Sequence, residues 1–273
     1  MINADDLQEF TPGHAFHDND LTTQYWIDNQ GMVSWRGSTQ VRGARAASFR
    51  FYLGGFAKDE NNCYCYGRRL VGAEPKTFRA LNFSYFTDGR FVWTIGGELP
   101  DADAETFVVC DSGSYSVPGT TTRIPCGYGK DTQRVYYYDF DGKPNWVRKA
   151  TAKTFISLCD GDFGKDENFV FCGHATIPKA KVTHWRKIGG NFSNYSKDDS
   201  RVFYFNRLVE RADFESFRVI PSRPARVPLN FARDKNHFYW NDKIIDEDNV
   251  AATIWIENAQ PDVPGDAPPV ARS

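Results

Sequence analysis

The sequence predicts an all-β protein made of seven tandem β-hairpin repeats, and three observations carry the prediction. A charged turn followed at once by large, mostly aromatic residues recurs along the chain. An Ala-x-x-x-Thr/Ser-aromatic segment comes after it, and no long amphipathic helical pattern is present. The best copy of the turn is FARDKNHFYWN, residues 231–241. Asp and Asn side chains bond nearby backbone N–H groups, so Asp234, Lys235 and Asn236 read as a chain reversal. Phe238, Tyr239 and Trp240 are consecutive, so in an extended strand they point to opposite faces and both faces require cover. Such a strand belongs between neighbouring sheets.

In chain order the other copies are WIDNQGMVSWRG (26–37), FAKDENNCYCYG (56–67), FTDGRFVW (86–93), YGKDTQRVYYYD (128–139), FGKDENFVFCG (163–173) and YSKDDSRVFYFN (195–206), which brings the total to seven. The second signature reads ARAASF (44–49), AEPKTF (73–78), ADAETF (102–107), ATAKTF (150–155), AKVTHW (180–185) and ADFESF (212–217). From Asp59, Asp88, Asp166 and Asp198 its aromatic (Phe78, Phe107, Trp185, Phe217) is nineteen residues on. Only the last unit lacks it, as suits a terminal repeat. The anchor aspartates are 31, 29, 43, 35, 32 and 36 residues apart, starting from Asp28. A repeat of about 34 residues lies within the range of stacked architectures.

Each unit reads as a strand entering the turn, a return strand of aromatics, a short edge strand (RRLV, RLVE, KIID), a single tight turn at the Ala segment, and a strand after the aromatic. Pro75 suits the first turn of a short helix. Closure into a seven-bladed propeller is favoured over an open hairpin stack or two packed sheets, because blades cover both faces of each other and leave short edges. Residues 1–20 read as a loosely ordered leader, 21–257 as one array, and 258–273 as a disordered tail by composition.

Two departures from the period fall around the fourth unit. CDSGSYSVPGTTTRIPCGYG (110–129) accounts for the 43-residue gap, and DFDGKPNWVRK (139–149) places Phe155 twenty-four residues after Asp131. Insertions into repeats map to surface loops, so Tyr115, Arg123, Tyr128, Trp146 and Arg148 are candidate partner-binding residues on one exposed surface. The structural alternative is a plain loop with Trp146 folded back onto the core. The Pro-rich stretch IPSRPARVPLN (220–230) adds Arg223 and Arg226 to the candidates.

Catalytic or metal-binding patterns are weak. His14, His17 and Asp18 sit close together but precede the repeats. Cys172 and His174 are near in sequence, which is not the spatial pairing that activates a thiol. Asp160, Asp162, Asp166 and Asn168 lack the distal Glu of the helix-loop-helix calcium motif. The repeated aspartates recur at one place in every unit, which argues for structure. No catalytic residue, metal site or cofactor is therefore assigned, and the chain reads as non-enzymatic.

The formal charge of −2 across 273 residues gives no general pull toward nucleic acid, and no apolar stretch reaches the roughly 20 residues of a membrane span. The opening MINADDLQEFTPGHAFHDND has neither the basic start nor the apolar core of a signal peptide. A periplasmic location follows if a signal sequence once preceded it, and a cytoplasmic one otherwise. Six cysteines read chiefly as small buried hydrophobes, although Cys159 and Cys172 flank one hairpin and suit pairing in an oxidising compartment.

The D-K-N-x-aromatic-aromatic signature, best seen in Asp234-Lys235-Asn236-His237-Phe238-Tyr239, together with its Ala-Asp-x-x-Thr/Ser-Phe follow-on, resembles the bacterial DKNYY family of tandem repeats over roughly residues 21–257. The resemblance implies an immunity protein that binds a cognate secreted toxin or effector, such as a lipase of a type VI antibacterial secretion system, and occludes its active site. A glycan-binding or cell-envelope-associated repeat protein is the alternative.

Overall fold

The computed structural model describes residues 2–13, 24–117, 122–140, 145–158, 161–190, 193–220 and 231–246. It is all-β apart from short 3-10 turns, and its strands form seven small antiparallel sheets. Unit 2 shows the pattern: Arg50–Phe51, Phe56–Lys58, Cys63–Cys65 and Arg68–Leu70 pair in sequence order as a four-stranded meander. Units 3, 5, 6 and 7 repeat it, unit 1 shows three strands among the described residues, and unit 4 has a fifth.

The strand after the segment aromatic is the first strand of the next sheet rather than the last of the one before. The reason lies in the anchor aspartate. In unit 4, Asp131 Oδ1 accepts from the backbone N–H groups of Gln133 and Arg134 (2.8 and 2.7 Å), which closes the turn. Its Oδ2 accepts from the N–H of Asp103, in the Ala segment upstream, at 3.2 Å. The same clamp joins Asp59 to Arg45, Asp88 to Glu74, Asp166 to Thr151, Asp198 to Lys181 and Asp234 to Asp213. Each Ala segment is thus held by the aspartate that follows it.

The second aromatic of the signature completes the clamp. The hydroxyls of Tyr64, Tyr136 and Tyr239 donate to Oδ2 of Asp59, Asp131 and Asp234 at 2.9, 2.9 and 2.7 Å. Burial by itself would raise the carboxyls of Asp131 and Asp234, but the donors around them outweigh it and hold both below the ordinary aspartate value.

The sheets stack face to face, as the double-sided aromatic strands predict. Between units 2 and 3, Phe56, Cys63 and Cys65 meet Phe78, Phe86 and Trp93, with Phe56 and Phe86 stacked at 3.9 Å. On the other face of the same strand, Tyr64 packs with Tyr25, Trp35 and Phe49 of the seam to unit 1. Six such clusters fill the six seams between consecutive units. Each fully buried aromatic contributes about 1.5–3 kcal/mol. Among the described residues, neither sheet pairing nor a core cluster joins unit 7 to unit 1, so the expected propeller closure is absent and the array is open.

Lysines just before the aspartates tie units together. Lys58 donates to the Phe78 carbonyl at 2.9 Å, Lys130 to those of Ala152 and Phe155 at 3.0 and 2.9 Å, and Lys197 to that of Phe214 at 3.1 Å. Each lysine reaches the Ala segment of the following unit. The K-D dipeptide therefore couples two jobs: the lysine binds forward and the aspartate closes its own unit.

Of residues 1–20, read from the sequence as a leader, the structure describes 2–13. They form a 3-10 turn at Ala4–Leu7 capped by the Asn3 side chain, and they pack along units 4 to 1. The tail from 258 lies outside the described residues.

Candidate partner-binding surface

Unit 4 is where the regular array is broken. Its second strand, Arg123–Lys130, is far longer than the three-residue Phe56–Lys58 of unit 2. The C-terminal end of this strand pairs with the first strand, Val108–Val109, while its N-terminal end pairs with the inserted strand Ser114–Ser116. The result is a hairpin that extends beyond the frame of the repeat.

Two buried constellations fix it. Asp111 accepts from the N–H groups of Gly113 and Tyr128 (2.9 and 2.8 Å) and from the Ser157 hydroxyl at 2.7 Å, which links the insertion to unit 5. Gly127, at φ +144°, lies against the Asp111 carboxylate where any Cβ would collide with it. At the other end of the hairpin, Arg123 pairs with both carboxylate oxygens of the fully buried Asp6, one of them at 2.8 Å. Its Nε and Nη2 also reach the Ser114 hydroxyl oxygen at 3.1 and 2.7 Å, and its guanidinium lies 4.1 Å from the centre of the Phe83 ring.

These placements sort the sequence candidates. Arg123 is a clamp between the N-terminal segment and the insertion. Tyr128 is fully buried, donates to the Gly173 carbonyl at 2.7 Å and packs with Phe155 and Phe171, so it is a seam residue and not the exposed one expected. Its burial has a readable signal, because Tyr128-Gly-Lys-Asp aligns with Tyr195-Ser-Lys-Asp, and Tyr195 is buried too. Tyr115 is partly exposed on the inserted strand. Trp146 is 41% exposed on the fourth strand, beneath the Arg134 guanidinium at 4.8 Å, so it is not folded into the core. Arg148 is exposed nearby in sequence, and Phe140, which the sequence reading passed over, is 54% exposed at the end of the third strand. Tyr115 sits opposite Ile124, whereas Trp146 sits opposite Tyr136, which itself faces Gly129. That register and the intervening strands put Tyr115 and Trp146 roughly 20 Å apart on opposite edges of one sheet. Arg223 and Arg226 lie outside the described residues.

Little here suits covalent chemistry. Burial pushes the thiols of Cys63, Cys110 and Cys172 up to about 12, which disfavours a thiolate. Cys63 and Cys65 both face unit 3 as packing groups. His174 is exposed. No cluster able to hold a metal ion occurs among the described residues, and no helix there is long and apolar enough to cross a membrane. His14, His17, Asp18, Cys159 and Asp160 lie outside the described residues.

Stacked meanders, each clamped by an aspartate turn and sealed to the next by aromatics, define a tandem-repeat β scaffold with one irregular unit. The chain belongs to the DKNYY family, whose signature matches residues 56–207 and 195–263. No curated protein and no solved structure matches it.

Proposed function

We propose that this protein is a non-enzymatic binding scaffold of the immunity type, which holds a cognate secreted toxin or effector and blocks its active site. The observation that supports this reading is the break at unit 4: the repeat is interrupted by a hairpin that Asp6, Arg123 and Asp111 hold rigid, with aromatic side chains left exposed beside it. A preorganised surface loses little entropy on binding, and exposed aromatics next to arginine are what protein interfaces use as anchors. The lipase of a type VI secretion system remains the family-based suggestion for the target. A glycan-binding array would need equivalent exposed aromatics in successive units, whereas the seam aromatics here are buried and the equivalent exposed pair, Phe91 and Phe169, falls in units 3 and 5, which are not consecutive.

The test is affinity capture from the native bacterium with mass spectrometry, followed by calorimetric titration of the main hit. A stoichiometric complex with a secreted enzyme, whose activity falls on binding, is expected. Capture of no protein, with retention on cell-wall resin, overturns the reading in favour of an envelope-binding role.

A further inference from the structure

The N-terminal segment shows what the first-strand edge of this array accepts. In chain order it meets units 4, 3, 2 and 1. Asp6 pairs with Arg123, and the Ala4–Leu7 turn lies against the first strand of unit 3, Arg79–Ala80. Glu9 pairs with Lys58 at 2.7 Å and accepts from the Tyr52 hydroxyl at 2.9 Å. Phe10 exchanges two backbone hydrogen bonds, of 2.7 and 2.9 Å, with Phe51 on the outer edge of unit 2. Gly13 then accepts from the Ile27 N–H at 3.0 Å, on the first strand that unit 1 shows among the described residues. An acidic segment, a 3-10 turn followed by extended chain, is thus added along the edge by charge pairs at Asp6 and Glu9 and by backbone bonds at Phe10 and Gly13.

The same edge of units 5–7 repeats this chemistry without a backbone-paired segment among the described residues, the one side-chain engagement in unit 5 being the Ser157 hydroxyl on Asp111 of the insertion. Its first strands, Ile156–Leu158, Arg186–Lys187 and Arg218–Val219, are each the outermost strand of their sheets. Ser157 and Val219 occupy the place of Phe51, two residues after the segment aromatic, and neither forms a bridge outside its own sheet. Arg186 and Arg218 are exposed at the place of Arg50, directly across from Lys197 and Arg233. Neither arginine has an ion pair among the described residues. Like charges facing each other across strands repel, so this stretch is electrostatically incomplete. Burial and the Arg186 charge together hold the Lys197 ammonium below its usual value.

We propose that the first-strand edge of units 5–7 docks an extended acidic segment of a partner protein, added as the N-terminal segment is on units 1–4, with carboxylates meeting Arg186 and Arg218. The proposal is independent of the inhibitor reading, since it concerns units 5–7 and rests on none of the unit 4 residues. Its test uses the full chain and a fluorescein-labelled peptide, NADDLQEFTP, copied from residues 3–12, read by fluorescence anisotropy. Saturable binding is expected that weakens about tenfold or more in R186E/R218E and when the peptide's acids are replaced by amides. Both arginines are exposed, so circular dichroism of the double variant should match the parent. Absence of binding overturns the proposal, as does equal binding to R186E/R218E, which would mean that the peptide merely displaces the chain's own segment from units 1–4. Tighter binding of a single-stranded oligonucleotide of equal charge overturns it in favour of a general polyanion surface. A concentration-dependent dimer lost in R186E/R218E overturns it in favour of a second copy's N-terminal segment.

Discussion

The two ends of each unit obey different rules. At one end the aspartate turn is built six times with the same atoms, from Asp59 to Asp234. At the other end the connection between first and second strands varies from residues 52–55 in unit 2 to 110–122 in unit 4. The turn end cannot drift, because the aspartate satisfies amide groups of two segments that would otherwise be left without acceptors in a buried place. The opposite end carries no such obligation, so length and side chains there are free to change. Variation that could serve recognition is thereby kept away from the contacts that hold the array together.

Removing a clamp should produce the largest effect. Asp131→Ala strips the acceptor from three backbone N–H groups and the Tyr136 hydroxyl, with an expected loss of about 3–5 kcal/mol in urea unfolding. Asp101→Ala, at an exposed aspartate whose side chain pairs with Arg134, should change stability far less. Similar losses in the two variants would remove the claim that the turn end sets the frame.

Next is the ion pair that pins the irregular unit. Arg123→Ala leaves the Asp6 carboxylate buried without its cation, and a loss of about 2–4 kcal/mol is expected. The same variant should expose residues 2–13 to limited proteolysis while the seams of units 5–7 stay protected. If the segment remained protease-resistant, the pair would not be what holds it down.

The seven units and the sandwiched aromatic strands were legible because both rest on local pattern: an Asp turn, then residues that need cover on two faces. The phase of the unit was not. The nineteen-residue spacing runs through the third and fourth strands to the next Ala segment, so it marks a fixed stretch of chain. The hydrogen bond from Asp131 runs backward to Asp103 across the insertion, and sequence spacing hides it. Closure depends on the small rotation between stacked sheets, which no single residue encodes. The Asp6–Arg123 pair joins residues 117 apart in sequence and has no local signature. Among the candidate residues, Tyr115, Trp146 and Arg148 fall on the surface, while Tyr128 shows that an insertion's last residues already belong to the repeat.

Acid should discriminate the two ends more gently. Asp131 and Asp234 have folded pKa values below their ordinary one, so their contribution is fully present above the unfolded value and is lost as pH falls through the lowered folded value. Melting temperature should therefore hold from neutral into mildly acidic solution and decline only in stronger acid. Asp131→Asn should flatten that decline, having lost the charged form already. An unchanged profile in Asp131→Asn would mean that the acid response arises outside the clamps.

The smallest stability effect should come from the irregular unit's exposed aromatics. Trp146→Ala gives up a half-exposed ring and its contact with Arg134, for an expected cost of about 1 kcal/mol or less. Tyr115→Ala should cost less still, since its ring lies on the edge of the hairpin and not in a seam. If the exposed aromatics of unit 4 form the recognition surface, these two variants should be nearly silent in unfolding experiments yet each weaken target binding about tenfold or more. The same contrast should invert at the turn end, where an Asp59→Ala protein kept folded at low temperature would lose stability but retain affinity. Because Tyr115 and Trp146 sit on opposite edges of the unit 4 sheet, loss of binding in one variant but not the other would also show from which edge the target approaches.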